Sequence, residues 1–188
     1  MNYQLLTSHK AFTLIELLVV ISIIAIITSF SAAAFSSYSR HQQLVQAQES
    51  VDLAIHDAQS RALSSVDGLN WGVHLTSGTN QLSLFSTATG FNSATKVLPR
   101  NLGEGTIVSD LTLQSTGMVN VVFSVRDGSV TFTANDGTCL GGSADSSCSA
   151  VSSRCLAVGI NLQGTADKRY LKVNERNIFE GTALAPCP

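Results

Sequence analysis

The chain has 188 residues, a formal net charge of −2 and only 13% charged residues against 44% hydrophobic ones. That length holds one domain of modest size plus an appended segment. The near-neutral balance argues against bulk binding of nucleic acid, and the N-terminal apolar run dilutes the charged residues.

Residues 1–11 form a short polar stretch that ends His9-Lys10-Ala11. From Phe12 to Ala34 the residues are apolar or small apart from a few Ser and Thr, with one carboxylate, Glu16. The run suits a bilayer core, which needs about 20 apolar residues in a helix. A carboxylate at that depth costs about 2.5–3.5 kcal/mol on insertion scales, so it implies a function and a cationic partner. Cleavage after Ala11 would supply that cation as a free amine on Phe12, one helical turn from Glu16.

The run Phe-Thr-Leu-Ile-Glu-Leu-Leu-Val-Val (residues 12–20), behind a basic leader and a small residue, resembles the N-terminus of type IV pilins and type II secretion pseudopilins. The resemblance implies that a prepilin peptidase cuts between Ala11 and Phe12 and methylates the Phe12 amine. It further implies a subunit held in the inner membrane by one pass, with its head in the periplasm, before it enters a pilus or pseudopilus. Other pilins would then be its partners through the N-terminal helix, and Glu16 would neutralise a neighbour's amine during assembly. Ala11 stands where the family usually has Gly and is the nearest residue in size. Two rival readings are a secretory signal peptide cut at Ser31-Ala32-Ala33-Ala34 and an ordinary anchored β domain. A Glu inside the h-region counts against the first. The mature N-terminus separates the three: Phe12, Phe35 or Met1.

Beyond residue 35 the composition turns polar but a helical pattern persists. Leu44, Ala47, Val51, Ala54, Ile55, Ala58 and Ala62 recur at spacings of three and four and make one apolar stripe. Gln42, Gln43, Gln46, Glu49, Asp52, Gln59 and Arg61 suit a wet face. The pattern predicts one helix from Phe12 to about Ser65, about 80 Å long, stopped by Asp67-Gly68. The chain therefore divides into a leader (1–11), a membrane or filament-core helix (12–35), an amphipathic stalk helix (36–66) and a β-rich head (67–188).

In the head, short β segments alternate with turn signals. Strands are predicted at 70–76 and 81–86, at 106–114, at 119–125 and 129–133 around Asp127-Gly128, and at 155–162 and 170–174. The Ser/Gly stretch from Asn135 to Ser153 reads as a loop. A sheet must cover its apolar face, and the stalk stripe is the available partner. The fold class is α+β: a long N-terminal helix packed on an antiparallel sheet. The order of elements, with Ala-Gln-Ser-Arg-Ala-Leu (58–63), Trp-Gly-Val (71–73) and Val-Phe-Ser-Val-Arg-Asp-Gly (122–128), also resembles the GspH/FimT-type minor pilins.

Cys139, Cys148, Cys155 and Cys187 all lie in the C-terminal third. An even count in an exported domain reads as disulfides. Three pairings are open; Cys139–Cys148 and Cys155–Cys187 are favoured, because they close the Gly/Ser loop and pin the tail. Zinc is disfavoured by the lack of a C-x-x-C pair and of any nearby His.

Catalytic signatures are missing: there is no G-x-S-x-G, H-E-x-x-H or phosphate-binding Gly loop, and neither enzyme activity nor a cofactor is expected. His41, His56 and His74 share no metal-type spacing. Trp71 reads as a core residue on the stalk. Asn135-Asp136 and Asp145 are too few for a calcium site, so no metal is expected. Lys168, Arg169, Lys172 and Arg176 could form a basic ridge, and some FimT-like minor pilins bind DNA through a C-terminal basic motif. Asp167, Glu175 and Glu180 interrupt the field and the Gly-Arg-x-Arg order of that motif is absent. A solvated strand face is the simpler reading, with DNA uptake as the alternative function.

Overall fold

The structure, a computed structural model, describes residues 12–113, 117–142, 155–174 and 178–181, with backbone alone at 30–34, 142 and 178–181. The expected leader, Cys148, Cys187, Asp145, Glu175 and Arg176 lie outside the described residues. The chain divides into two compact units, Met1–Arg40 and His41–Pro188.

The first unit is helical. Helix α1 (Leu14–Leu63) is one element of 50 residues, and no Pro or Gly interrupts it. Its first apolar residues face outward: Leu14 is 82% exposed and Ile27 60%. The hydroxyls among them are satisfied within the helix. Ser22 Oγ donates to Leu18 O at 2.8 Å, Thr28 Oγ1 to Ile24 O at 2.9 Å and Ser29 Oγ to Ala25 O at 2.7 Å. Each polar atom is thus turned back on its own backbone. The expected membrane span is not found: among the described residues, no helix is long and apolar enough to cross a membrane.

The second unit packs the later part of α1 on two antiparallel sheets. The strands are β1 (Asn70–Thr76), β2 (Gln81–Thr87), β3 (Lys96–Asn101), β4 (Thr106–Leu111), β5 (Met118–Phe123), β6 (Val130–Thr133), β7 (Cys139–Gly142), β8 (Cys155–Leu162), β9 (Lys168–Asn174) and β10 (Ile178–Gly181). One sheet has the order β3-β2-β1-β5-β6-β7 and the other β10-β9-β8-β4. In the first, Val73 sits opposite Leu84 on one side and Val121 on the other. In the second, Val158 sits opposite Leu111 and Leu171.

Period-two alternation turns Trp71, Val73 and Leu75 to the core, while α1 turns its stripe to meet them. All seven stripe residues predicted from spacing are buried, with Val51, Ile55 and Ala58 at 0% exposure. Four of the seven are alanines, so much of the stripe is made of small side chains. They form one cluster with Leu82, Val108, Phe132, Leu156, Ile160 and Val173 from both sheets. Burying a side chain such as Ile55 contributes about 1.5–3 kcal/mol.

The helix ends at Leu63, where Ser65 adopts a left-handed conformation at φ 52°. The β5–β6 turn closes over this end: Arg126 N–H donates to Ala62 O at 3.2 Å. Gly128, at φ +67°, brings the turn so close that a Cβ there would lie 2.8 Å from Leu63 Cδ2. Arg61 stacks over Trp71, 4.8 Å from the ring centroid, and the Trp71 indole N–H donates to Val66 O at 3.0 Å. Trp71 is thus a core residue, 1% exposed.

Part of the stretch expected as a loop, 135–153, is strand β7, which pairs with β6. Its sequence, Cys-Leu-Gly-Gly, carries no alternation to reveal it. Strand β3 contains Pro99, and β10 is four residues long. β3 and β10 are edge strands, where Pro and short length are tolerated.

Candidate functional site

The site begins at the start of α1. Thr13 precedes the first helical residue. Its Oγ1 accepts the Glu16 backbone N–H at 3.3 Å, and its carbonyl accepts Leu17 N–H at 3.3 Å. Thr13 therefore acts as the N-cap, and Thr-Leu-Ile-Glu has the spacing of a capping box. An acid in the first turn also suits the positive end of the helix dipole. Phe12, just outside the helix, is 77% exposed. Ala11 lies outside the described residues. Among the described residues no cation pairs with Glu16.

What results is an apolar helical surface with a capped start and one carboxylate a turn from Phe12. Leu14, Leu17, Leu18, Ile21 and Ile24 are all more than half exposed. Such a surface calls for an apolar environment or a partner. The Thr-x-x-Glu spacing of residues 13–16 carries the signal for this cap in the sequence itself.

The basic residues of β9 do not form one exposed ridge. Lys168 Nζ donates to Asp110 Oδ2 at 2.8 Å. That hydrogen bond holds the Asp110 carboxyl below its ordinary range, and Asp110 raises Lys168 in turn. Arg169 Nη1 donates to Gln48 Oε1 on α1 at 2.9 Å. Lys172 is buried at 8% exposure. Alternation puts Arg169 on the face of β9 opposite Lys168 and Lys172, so the three described cations do not share one surface.

Cys139 and Cys155 are each disulfide-bonded, and no free cysteine occurs among the described residues. Asp136 Oδ1 accepts Thr138 N–H at 2.9 Å, which makes it a turn-forming acid. No group of three potential metal ligands occurs among the described residues. A cleft of about 470 Å³ opens where the β1–β2, β3–β4 and β8–β9 turns meet. Its lining, including Thr79, Asn80, Gln81, Thr106 and Gln163, contains no ionisable side chain.

A family model for the prokaryotic N-terminal methylation motif matches residues 6–32. The match covers Ala11, Phe12, Thr13 and Glu16, and it supports a type IV pilin-like protein. No curated protein and no solved structure matches the chain.

Proposed function

We propose that this type IV pilin-like chain is a minor pilin or pseudopilin of the GspH/FimT type. Its work is architectural. A prepilin peptidase cuts between Ala11 and Phe12 and methylates the new amine. The subunit waits in the inner membrane, by an apolar tract that continues in sequence to Ala34, with its head in the periplasm. It then joins a type IV pilus or a type II secretion pseudopilus through the N-terminal helix.

The observation that carries this reading is the outward-facing apolar start of α1 with one carboxylate, Glu16, unpaired among the described residues. A buried carboxylate without a partner is costly, whereas a matched one is tolerated and sets register. A neighbour's Phe12 amine would supply the match. Glu16→Ala should leave cell-fractionation behaviour intact and lower recovery of the chain in sheared filaments. Equal incorporation of the variant and the wild type would remove the register role.

The DNA-uptake alternative gains nothing from the engaged side chains of Lys168 and Arg169. A gel shift with the protein tests it directly, since phosphate contacts weaken steeply with salt.

A further inference from the structure

His74 lies on β1, opposite Ser83 of β2 and Asn120 of β5, on the face turned away from α1. Its ring stacks on Phe91 with centroids 3.9 Å apart and planes 8° from parallel. Phe91 opens a 3-10 turn, Phe91–Ser93, in the β2–β3 connection, and meets the Phe85 ring edge-on at 5.0 Å. Asn120 is fully buried, and its Nδ2 donates to Ala134 O at 2.8 Å. That leaves Asn120 Oδ1 to accept from His74 Nδ1, at 2.7 Å. His74 Nε2 is then the acceptor for the Thr76 hydroxyl, at 3.0 Å. Both ring nitrogens of a neutral imidazole are thus satisfied.

Two connections meet over this ring. Asn92 N–H, in the β2–β3 connection, donates to Asn135 O in the β6–β7 connection at 2.9 Å. The backbones touch beside it: a Cβ on Gly90 would lie 2.7 Å from Gly137 N. The pair forms a cover that holds Phe91 against Phe85, which is itself fully buried.

We propose that His74 is an acid-released latch: the neutral ring holds the Phe91 turn against the first sheet, and the protonated ring lets it go. A second proton must sit on Nε2, where the Thr76 hydroxyl now donates, and it places a charge between Phe91 and the sheet. The Phe91 face attracts that charge and opposes release, but the two connections add little more. Residues 88–95 contain no charged side chain, and 134–138 contain only Asp136, which is exposed and accepts from Thr138. Ser83, Asn120, Thr76 and Phe91, which face the ring, are all neutral. Burial pulls His74 below the ordinary imidazole value of 6.5, and the bond to Asn120 opposes this more weakly. The closed cover therefore binds the proton less well than an open one, so acid favours opening. The stabilisation of closure is present above pH 6.5 and is lost as pH falls through the lowered value.

Full-length protein in detergent micelles tests this by NMR. The His74 ring is titrated while amide exchange of Asn92 is followed from pH 7.5 to 5, corrected for intrinsic exchange. His74 should titrate below 6.5, and Asn92 protection should drop several-fold relative to the β1 amides over the same interval. His74→Gln should abolish that pH dependence, and Phe91→Leu should move the His74 titration up towards 6.5. A His74 that titrates at or above 6.5 would overturn the latch. So would Asn92 protection that ignores His74 protonation, or an acid response retained in His74→Gln.

Discussion

Arg169 and Gln48, 121 positions apart in sequence, meet at 2.9 Å through the guanidinium Nη1 and the amide Oε1. Gln48 is 3% exposed. The pair ties β9 to α1 at the edge of the shared core, and it engages one of the cations that the DNA-uptake reading would need. Gln48→Ala should destabilise the protein by about 1–3 kcal/mol, because a half-buried guanidinium loses a partner. Urea denaturation of Gln48→Ala, Arg169→Ala and the double variant checks this. Strictly additive losses would mean that the two side chains do not interact.

The core stripe gives a larger effect. Ile55 is fully buried against both sheets, so Ile55→Ala should cost about 2–5 kcal/mol. Ala58→Leu should also destabilise, by about 1–3 kcal/mol, because Ala58 is fully buried in the packed cluster. Thermal or chemical unfolding of both variants tests the packing in opposite directions.

Gly128 should be intolerant for two separable reasons. Its φ of +67° disfavours any Cβ, and the new atom would meet Leu63 Cδ2 at 2.8 Å. Gly128→Ala should cost about 1–2 kcal/mol from conformation, plus the clash. Adding Leu63→Ala should relieve only the clash, which denaturation midpoints of the single and double variants would reveal.

Asp110 and Lys168 carry a pH dependence of modest size. The hydrogen bond from Lys168 lowers the Asp110 carboxyl, so its contribution is present above pH 3.8 and is lost as pH falls through the lowered value. Both side chains are about a third exposed, so solvent screens most of the effect. Asp110→Asn should lower stability slightly at pH 7. The gap to wild type should close in acid, read from paired denaturation curves at pH 7 and pH 2.5.

Much of this architecture was readable from pattern alone. The Leu44–Ala62 stripe and strands β1 and β8 follow from side-chain periodicity, which burial enforces directly. The strands that escaped, β3, β7 and β10, are edge strands of their sheets. There, pairing holds the backbone without demanding an apolar side chain on every second residue. Lys96-Val-Leu-Pro-Arg-Asn and Cys-Leu-Gly-Gly therefore carry no alternation. At the N-terminus, the Phe12–Glu16 motif was legible because it is local in sequence. The engagement of Lys168 by Asp110, of Arg169 by Gln48 and of His74 by Phe91 depends on tertiary proximity, which spacing does not encode.

Thr13 offers a test closer to assembly. Thr13→Val removes the acceptor of the Glu16 N–H and should weaken the helix start by about 0.5–2 kcal/mol. Faster amide exchange at Glu16 and Leu17, with the second unit unchanged, is the expected signature.

The most direct measurement is the N-terminal sequence and intact mass of the chain recovered from cells with an active prepilin peptidase. The expected mature chain begins with N-methylated Phe12, one turn ahead of Glu16. A mature chain that begins at Met1 or Phe35 would contradict it.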